Sequence, residues 1–159
     1  MDDQKRSKDR QIEKSTDRKI DRSTDRKIDR AAERRGRVMT AAELIKRMDR
    51  FAVEVLRFTR PLLHLPETRD LARQLRRSAP GMAANYAAAD IARSHADFTA
   101  KVGVALEEAD ESRRWLAILR DAGLVDADAT VALIAEAAEL RAILYATHAT
   151  ARRNRHKRR

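Results

Sequence analysis

Histidine and acidic residues decide whether this chain can bind a metal ion. Helical di-metal sites place a glutamate three residues before a histidine, which puts both side chains on one helix face. Proline, alanine, tyrosine and arginine stand three residues before the four histidines, so this motif is absent. An acidic run at 107–111 has no histidine nearby, and we expect it to pair with Arg113 and Arg114 on a solvated helix face. The sequence therefore predicts no metal site and no cofactor.

The residue patterns of covalent catalysis are also absent from the sequence. It contains no glycine-rich phosphate loop, no Ser-His-Asp arrangement and no strained turn that presents a nucleophilic serine. The chain has no cysteine, which excludes thiolate chemistry and disulfides. We therefore predict that the protein is not an enzyme.

A cluster of cations at the carboxyl end is the strongest signal for nucleic-acid binding. The net charge is +10, of which residues 1–38 contribute +5, residues 39–149 contribute −1 and residues 150–159 contribute +6. Such a cluster neutralises several phosphates of RNA or DNA without reading a base sequence. The alternative is a solubilising tail that complements the dipole of the preceding helix, and the sequence leaves both readings open. The candidate phosphate ligands are Arg152, Arg153, Arg155, Lys157, Arg158 and Arg159.

Arg76 and Arg77 are the candidate phosphate ligands outside the tails. Each can instead form an ion pair with Glu107, Glu108 or Glu111 on a neighbouring helix. Exposed opposite charges on adjacent helices commonly pair. We therefore favour ion pairs over a phosphate contact for these two arginines.

Residues 1–38 form a low-complexity extension. Residues 15–22 recur unchanged as residues 23–30. The repeat offers too little apolar surface to offset the entropy lost when a chain is ordered. We expect the extension to be disordered, and we expect Met39 to be the true translation start.

Nothing in the sequence points to a membrane. No stretch approaches the roughly 18 consecutive apolar residues of a membrane-spanning helix. The first residues also lack the apolar segment of a signal peptide. We expect a cytoplasmic protein with no membrane partner.

Residues 40–150 carry the periodicity of four amphipathic helices. Apolar residues step three and four positions apart through four successive segments, and this spacing predicts helices that each bury one face. Thr40 with Glu43 forms a capping box at the first helix, and Ser94 opens the third helix in the same way. Gly123 suits the end of the third helix. Asp126 or Asp128 caps the fourth.

The short connections between these helices determine the fold class. Helices joined by a few residues pack antiparallel to their neighbours. We expect Pro80 to kink the second helix without ending it, because the apolar spacing continues beyond it. The sequence predicts an all-α, up-down-up-down antiparallel four-helix bundle over 40–150, with disordered basic tails, the second of them at 151–159.

Three apolar residues of the third helix lie outside its apolar seam. They are Leu106, Trp115 and Ile118. An apolar stripe wider than one seam indicates a second buried face. We expect these residues to form the interface of a homo-oligomer.

Two motifs, at 74–86 and 107–116, resemble those of a bacterial family of four-helix-bundle proteins. That family includes proteins encoded in intervening sequences of 23S ribosomal RNA genes. It also includes the accessory variability determinants of diversity-generating retroelements. The resemblance covers about residues 48–153 and implies a ring-shaped homopentamer. For the retroelement branch it implies binding to nucleic acid and to a reverse transcriptase.

Two functions follow from these observations. The first is a non-enzymatic, oligomeric scaffold or adaptor that binds nucleic acid weakly through its basic tails. The alternative is a nucleic-acid-binding accessory of a reverse transcriptase or of a ribosomal RNA intervening-sequence element. The net charge of −1 over residues 39–149 departs from the basic surface that the retroelement branch implies.

Overall fold

A computed structural model describes residues 39–156, with side chains through Asn154. The described residues form helices and turns and contain no strand. The elements are α1 (Ala41–Thr59), a 3-10 turn (Pro61–His64), α2 (Pro66–Asp90), α3 (His95–Asp121) and α4 (Ala127–His156). Short connections make successive helices antiparallel, and the predicted all-α four-helix bundle is confirmed.

The helix ends follow the local sequence signals. The Thr40 hydroxyl accepts the Glu43 amide, and the Glu43 carboxylate accepts the Thr40 amide at 2.9 Å, which completes the predicted capping box. The Ser94 hydroxyl accepts the Asp97 amide at the start of α3, but the Asp97 carboxylate accepts the Arg93 amide and not that of Ser94, so the second predicted capping box is only half formed. Gly123 ends α3 with a φ of 66°, a conformation that costs glycine little. Of the two acids proposed to cap α4, Asp126 does so, because its carboxylate accepts the amide two residues ahead.

Helix α2 passes through Pro80 without a break. Proline removes one backbone hydrogen bond from a helix interior. Apolar side chains on both sides of it are fully buried, among them Leu75 and Met82. Burial of that face outweighs the missing hydrogen bond, so the expectation that Pro80 does not end the helix is confirmed.

The core lies along the seams that the helices turn toward one another. Helix α3 packs against both α2 and α4, and α1 packs against α2. Contact between α1 and α4 is shorter and includes ion pairs from Arg47 to Glu136 and Glu139. The largest fully buried side chains include Phe51, Met48, Leu75, Met82, Leu116, Leu119, Leu140 and Leu144. In the described part of the chain, no helix is both long and apolar enough to cross a membrane.

The carboxyl end of α4 differs from the expected disordered tail. Helix α4 continues to His156, so residues 151–156 are helical. Ala151 is buried, and its carbonyl oxygen lies 2.8 Å from His95 Nε2 at the start of α3. This hydrogen bond and the burial of Ala151 fasten the added turn to the bundle. No sequence pattern predicts this contact, because His95 and Ala151 are brought together only by the antiparallel packing.

Several predictions lie outside the described residues. They concern the extension at 1–38 with its expected start at Met39, and three of the cations at the carboxyl end. Those cations are Lys157, Arg158 and Arg159. The side chain of Arg155 is likewise outside the described part of the chain.

Candidate functional site

The two sequence motifs meet along the contact between α2 and α3. Ser78 of α2 and Ser112 of α3 are both fully buried, and their hydroxyl oxygens are 2.8 Å apart. Ser112 also donates to the carbonyl oxygen of Glu108 at 2.9 Å. Small hydroxyl side chains at this crossing let the two helices pack closely. The motif residues therefore serve first as the contact between two helices.

Glu108 lies against Gly81 one turn further along this contact. A Cβ atom at Gly81 would stand 3.0 Å from the carboxyl carbon of Glu108, so the glycine makes room for the acid. Glu108 Oε2 is buried and has no hydrogen-bond partner among the described residues. Burial raises the pKa of Glu108 above its usual range, Glu111 raises it further, and Arg77 opposes both. The site thus holds a carboxylate with one oxygen that is buried and unpartnered among the described residues.

Trp115 lies on the same side of α3 as Glu108, seven residues and two turns away. Its indole Nε1 is buried and has no hydrogen-bond partner in the described part of the chain, while the residue as a whole is only half-buried. These two residues belong to a row that steps 4-3-4-3 along α3 outside the buried seam. We call it the outer seam of α3: Val104, Glu108, Glu111, Trp115 and Ile118. Val104 is 40% exposed and Ile118 37% exposed, so the row carries apolar surface at both ends.

Leu106 does not share this face with Trp115. The two residues are nine positions apart, which corresponds to about half a turn around a helix at roughly 100° per residue. Leu106 and Trp115 are both half-buried, and both pack against the core. The three predicted interface residues therefore divide, with Trp115 and Ile118 on the outer seam and Leu106 on the other side of α3.

Arg76 does not form the ion pair that the sequence analysis favoured. Its guanidinium donates to the carbonyl oxygen of Leu56 at 2.9 Å and to the Thr59 hydroxyl at 3.1 Å. Both acceptors lie in the last turn of α1, whose carbonyl groups have no partner within the helix. The expectation fails because Arg76 sits on the side of α2 that faces α1, away from the acids of α3.

The acids of α3 differ in their partners. Asp110 forms ion pairs with Arg113, Arg114 and Arg141, the last at 2.7 Å. Burial disfavours its ionised form, but hydrogen bonds from Arg141 and Arg114 outweigh burial and hold the pKa of Asp110 below its usual range. Within residues 39–154, no hydrogen bond or ion pair is formed by the side chains of Glu107 and Glu111, nor by that of Arg77, which is exposed. The predicted pairing of the acidic run with the arginines after it therefore holds for Asp110.

Two open grooves lie between α3 and α4 near the end of α4, and one basic residue of the carboxyl end lines one of them. Arg152 lines a groove of about 410 Å³ together with His148, Thr99 and Glu107. A Cβ atom at Gly103 would stand 3.3 Å from His148 Nε2, so this glycine makes room for the imidazole. Arg153 donates to a threonine hydroxyl one turn earlier in α4. Neither groove gathers a cluster of cations, and no group of three potential metal ligands comes together within the described residues.

Sequence reasoning missed the contacts between helices that are distant in the chain. Arg47 binds Glu136 and Glu139 from 89 and 92 residues away. Arg141 reaches Asp110 across the contact between α3 and α4. The one available signal was that all five residues border an apolar seam, where ion pairs between neighbouring helices are common.

Comparison with known proteins places this fold in a family. The sequence matches the family described as 23S rRNA-intervening sequence protein over residues 40–146. A crystal structure from Bacteroides thetaiotaomicron, described as a protein of unknown function from the S23 ribosomal protein family, has a TM-score of 0.63 and 24% identity. The alignment covers 68% of this chain and 96% of that one, and at this identity it shows a shared fold. No curated protein matches the chain. The family match spans all four helices, and the chain belongs to the 23S rRNA-intervening sequence protein family.

Proposed function

We propose that the protein is a non-enzymatic scaffold that assembles from several copies of itself and binds nucleic acid weakly through its basic carboxyl end. The observation that carries this proposal is the outer seam of α3. It combines exposed apolar side chains at Val104 and Ile118 with two buried polar atoms, on Glu108 and Trp115, that have no partner within residues 39–154.

Each part of the outer seam is costly in an isolated chain. An unpartnered buried polar atom costs about 1–3 kcal/mol, and buried polar groups in folded proteins nearly always have partners. Exposed apolar side chains arranged in a row are typical of surfaces that bind other proteins. Closure by another copy covers the exposed apolar side chains and so reduces the second of these costs. The resemblance to family members that form pentameric rings favours five copies.

Binding to nucleic acid is the second part of the proposal. Residues 39–149 carry a net charge of −1, so the bundle as a whole does not attract phosphate, whereas the last ten residues carry +6. Arg152 and Arg153 are exposed on a helical turn that His95 fastens to the bundle. Contacts of this kind depend on charge and carry no sequence preference. The net charge of −1 over residues 39–149 also disfavours the alternative of a dedicated reverse-transcriptase accessory.

Light scattering tests the assembly. We expect the full chain to have the mass of several copies at micromolar concentration. Ile118→Glu places a charge on the outer seam of α3 and should reduce the mass. Val53→Glu is the matched control, because Val53 is 44% exposed on α1, outside the seam. A full chain that is monomeric at this concentration contradicts the proposal.

Titration of labelled RNA and DNA tests the second part. Removal of residues 152–159 takes away six cations. We expect the affinity of the full chain to fall as the salt concentration rises. The slope of log K against log salt should be no steeper than roughly −4 to −5 per tail, since each phosphate contacted contributes about −0.7 to −0.9. The shortened chain should lose binding at both of two salt concentrations. If its affinity is unchanged, the binding surface lies elsewhere, and Arg77 becomes the first residue to substitute.

A further inference from the structure

The outward face of α4 carries a second row of apolar and small residues. We call it the outer seam of α4. Its members step 4-3-4-3-4-3 and are Val131, Ala135, Ala138, Ala142, Tyr145, Ala149 and Arg152. Val131 is 60% exposed and Tyr145 is 61% exposed. The seam contains no acid, and its one charge is the cation at its end.

This seam does not resemble an ordinary solvated helix face. A surface helix normally carries charged and polar residues opposite its buried stripe, and a helix that is apolar on both sides is buried on both. Of the charges that flank the seam, Glu136 and Glu139 bind Arg47 and Arg141 binds Asp110, while Asp128, one turn before Val131, is exposed. Alanine at three consecutive positions of the row allows the backbone of another helix to approach closely. The features of α4 are those of a helix that packs against a second surface.

The outer seam of α3 has the complementary charge. Glu108 and Glu111 occupy its middle, and Glu107 lies beside it without a partner in the described chain. If this surface met its own copy across a twofold axis, the acids of both chains would come together, and like charges in contact disfavour binding. The outer seam of α4 brings no acid to the contact and ends at Arg152.

We infer that the outer seam of α4 in one copy docks onto the outer seam of α3, beside α2, in the next copy. This inference rests on the proposed self-association and specifies which two surfaces meet. The contact is head-to-tail, because each chain offers one surface to each of two neighbours. Such contacts close into a ring when the rotation between copies allows it. The exposed apolar rows of both helices are then covered by the same interface.

Disulfide trapping tests which surfaces meet, and the chain has no cysteine to interfere. One full chain carries a single cysteine on α3, as Val104→Cys or Ile118→Cys. A second full chain, distinguished by a small tag, carries a single cysteine on α4, as Val131→Cys, Ala138→Cys or Tyr145→Cys. The two are co-expressed in all six pairings and oxidised, so that every disulfide joins two chains. A disulfide needs Cα atoms within about 7 Å, so the product reports direct contact.

We expect a product between the α3 cysteine and the α4 cysteine in at least one pairing. Three outcomes are distinguishable by mass. A mixed product supports the docking. The docking is overturned by products that join two α3 cysteines. It is also overturned if no mixed product forms in a protein that light scattering shows to be oligomeric. Both results leave the proposed self-association intact. A monomeric protein overturns both proposals.

A charge in the middle of the α4 seam provides an independent test. Ala138→Glu should reduce the mass measured by light scattering to that of one chain, because it places an acid opposite the acids of α3. Ala42→Glu is the matched control, since Ala42 is an exposed alanine on α1. Circular dichroism confirms that both variants remain helical. An Ala138→Glu protein that keeps the mass of the unsubstituted oligomer contradicts the docking.

Discussion

The buried hydroxyl pair between α2 and α3 makes a sharp prediction about stability. Ser112 lies 2.9 Å from the carbonyl oxygen of Glu108, and Ser78 lies 2.8 Å from Ser112. A hydroxyl donates only one hydrogen. From the 2.9 Å contact we infer that Ser112 donates to Glu108, and that Ser78 therefore donates to Ser112. The other acceptor within reach of Ser78, the carbonyl oxygen of Leu75, is 3.4 Å away and weak by comparison.

This chain of donors predicts that the two serines are not equivalent. Ser112→Ala leaves the buried donor of Ser78 without a good acceptor, which costs about 1–3 kcal/mol. Alanine recovers about 0.5 kcal/mol through its better helix propensity, so we expect a loss of about 1.5 kcal/mol. Ser78→Ala leaves Ser112 donating to Glu108, and we expect a loss of less than about 0.5 kcal/mol. The double variant removes both hydroxyls and should be close to the unsubstituted protein.

Urea denaturation followed by circular dichroism measures these differences, at one protein concentration because assembly raises apparent stability. The decisive quantity is the coupling free energy, which is the difference between the stability lost by the double variant and the sum of the losses of the two single variants. We expect the double variant to lose less than that sum by about 1 kcal/mol or more. A double variant that loses as much as the two single variants together refutes the shared hydrogen-bond chain. A Ser78→Ala protein that is less stable than Ser112→Ala refutes the assigned direction of donation.

Three further predictions concern the ends of the chain and the unpaired acid. A chain that starts at Met39 should lose no more than about 1 kcal/mol of stability in thermal melting, the size of an average destabilising substitution, because residues 1–38 offer little apolar surface to bury. Glu108→Gln should stabilise the protein at pH 7 by about 1 kcal/mol or less. The folded state raises the pKa of Glu108. The free energy of unfolding therefore falls as the pH rises from the usual glutamate pKa to the raised pKa of Glu108. In urea titrations below the usual glutamate pKa, the stability gained by Glu108→Gln should vanish. His95→Ala removes the partner of the Ala151 carbonyl, and faster amide hydrogen exchange over residues 151–156 should follow, with unchanged exchange in the core of α3.

The sequence predicts most of the fold because the signals that define it are local. Caps such as Thr40 and Gly123 act within one turn of their own helix, and each buried seam repeats every three or four residues. Short connections then leave few ways to arrange four helices. The end of α4 is the exception, because the contact that extends it comes from His95, more than fifty residues earlier in the chain.

The candidate site was predicted less well because it depends on which helices face each other. Arg76 and Arg77 are adjacent in sequence but about 100° apart around α2. Arg76 consequently reaches α1, whereas Arg77 acts on Glu108 of α3. Periodicity alone places Leu106 and Trp115 on opposite sides of α3, but it does not show which of these residues lies toward a neighbouring helix. That assignment requires two contacts between helices. Ser78 with Ser112 shows which side of α3 lies against α2, and Arg141 with Asp110 shows which side lies against α4.

Gly81 connects the packing of α2 to the character of the outer seam. A glycine inside a helix costs about 1 kcal/mol relative to alanine, so its presence beside Pro80 weakens the local helix twice. The compensation lies on α3, because the space left by the missing Cβ is filled by the carboxyl group of Glu108. That placement buries Oε2 and leaves the acid half-covered instead of extended into solvent. In the proposed assembly, an acid drawn inward leaves space for a helix from another copy beside Val104, Trp115 and Ile118. The proposed assembly surface is therefore shaped by a glycine on α2 that does not itself carry apolar surface.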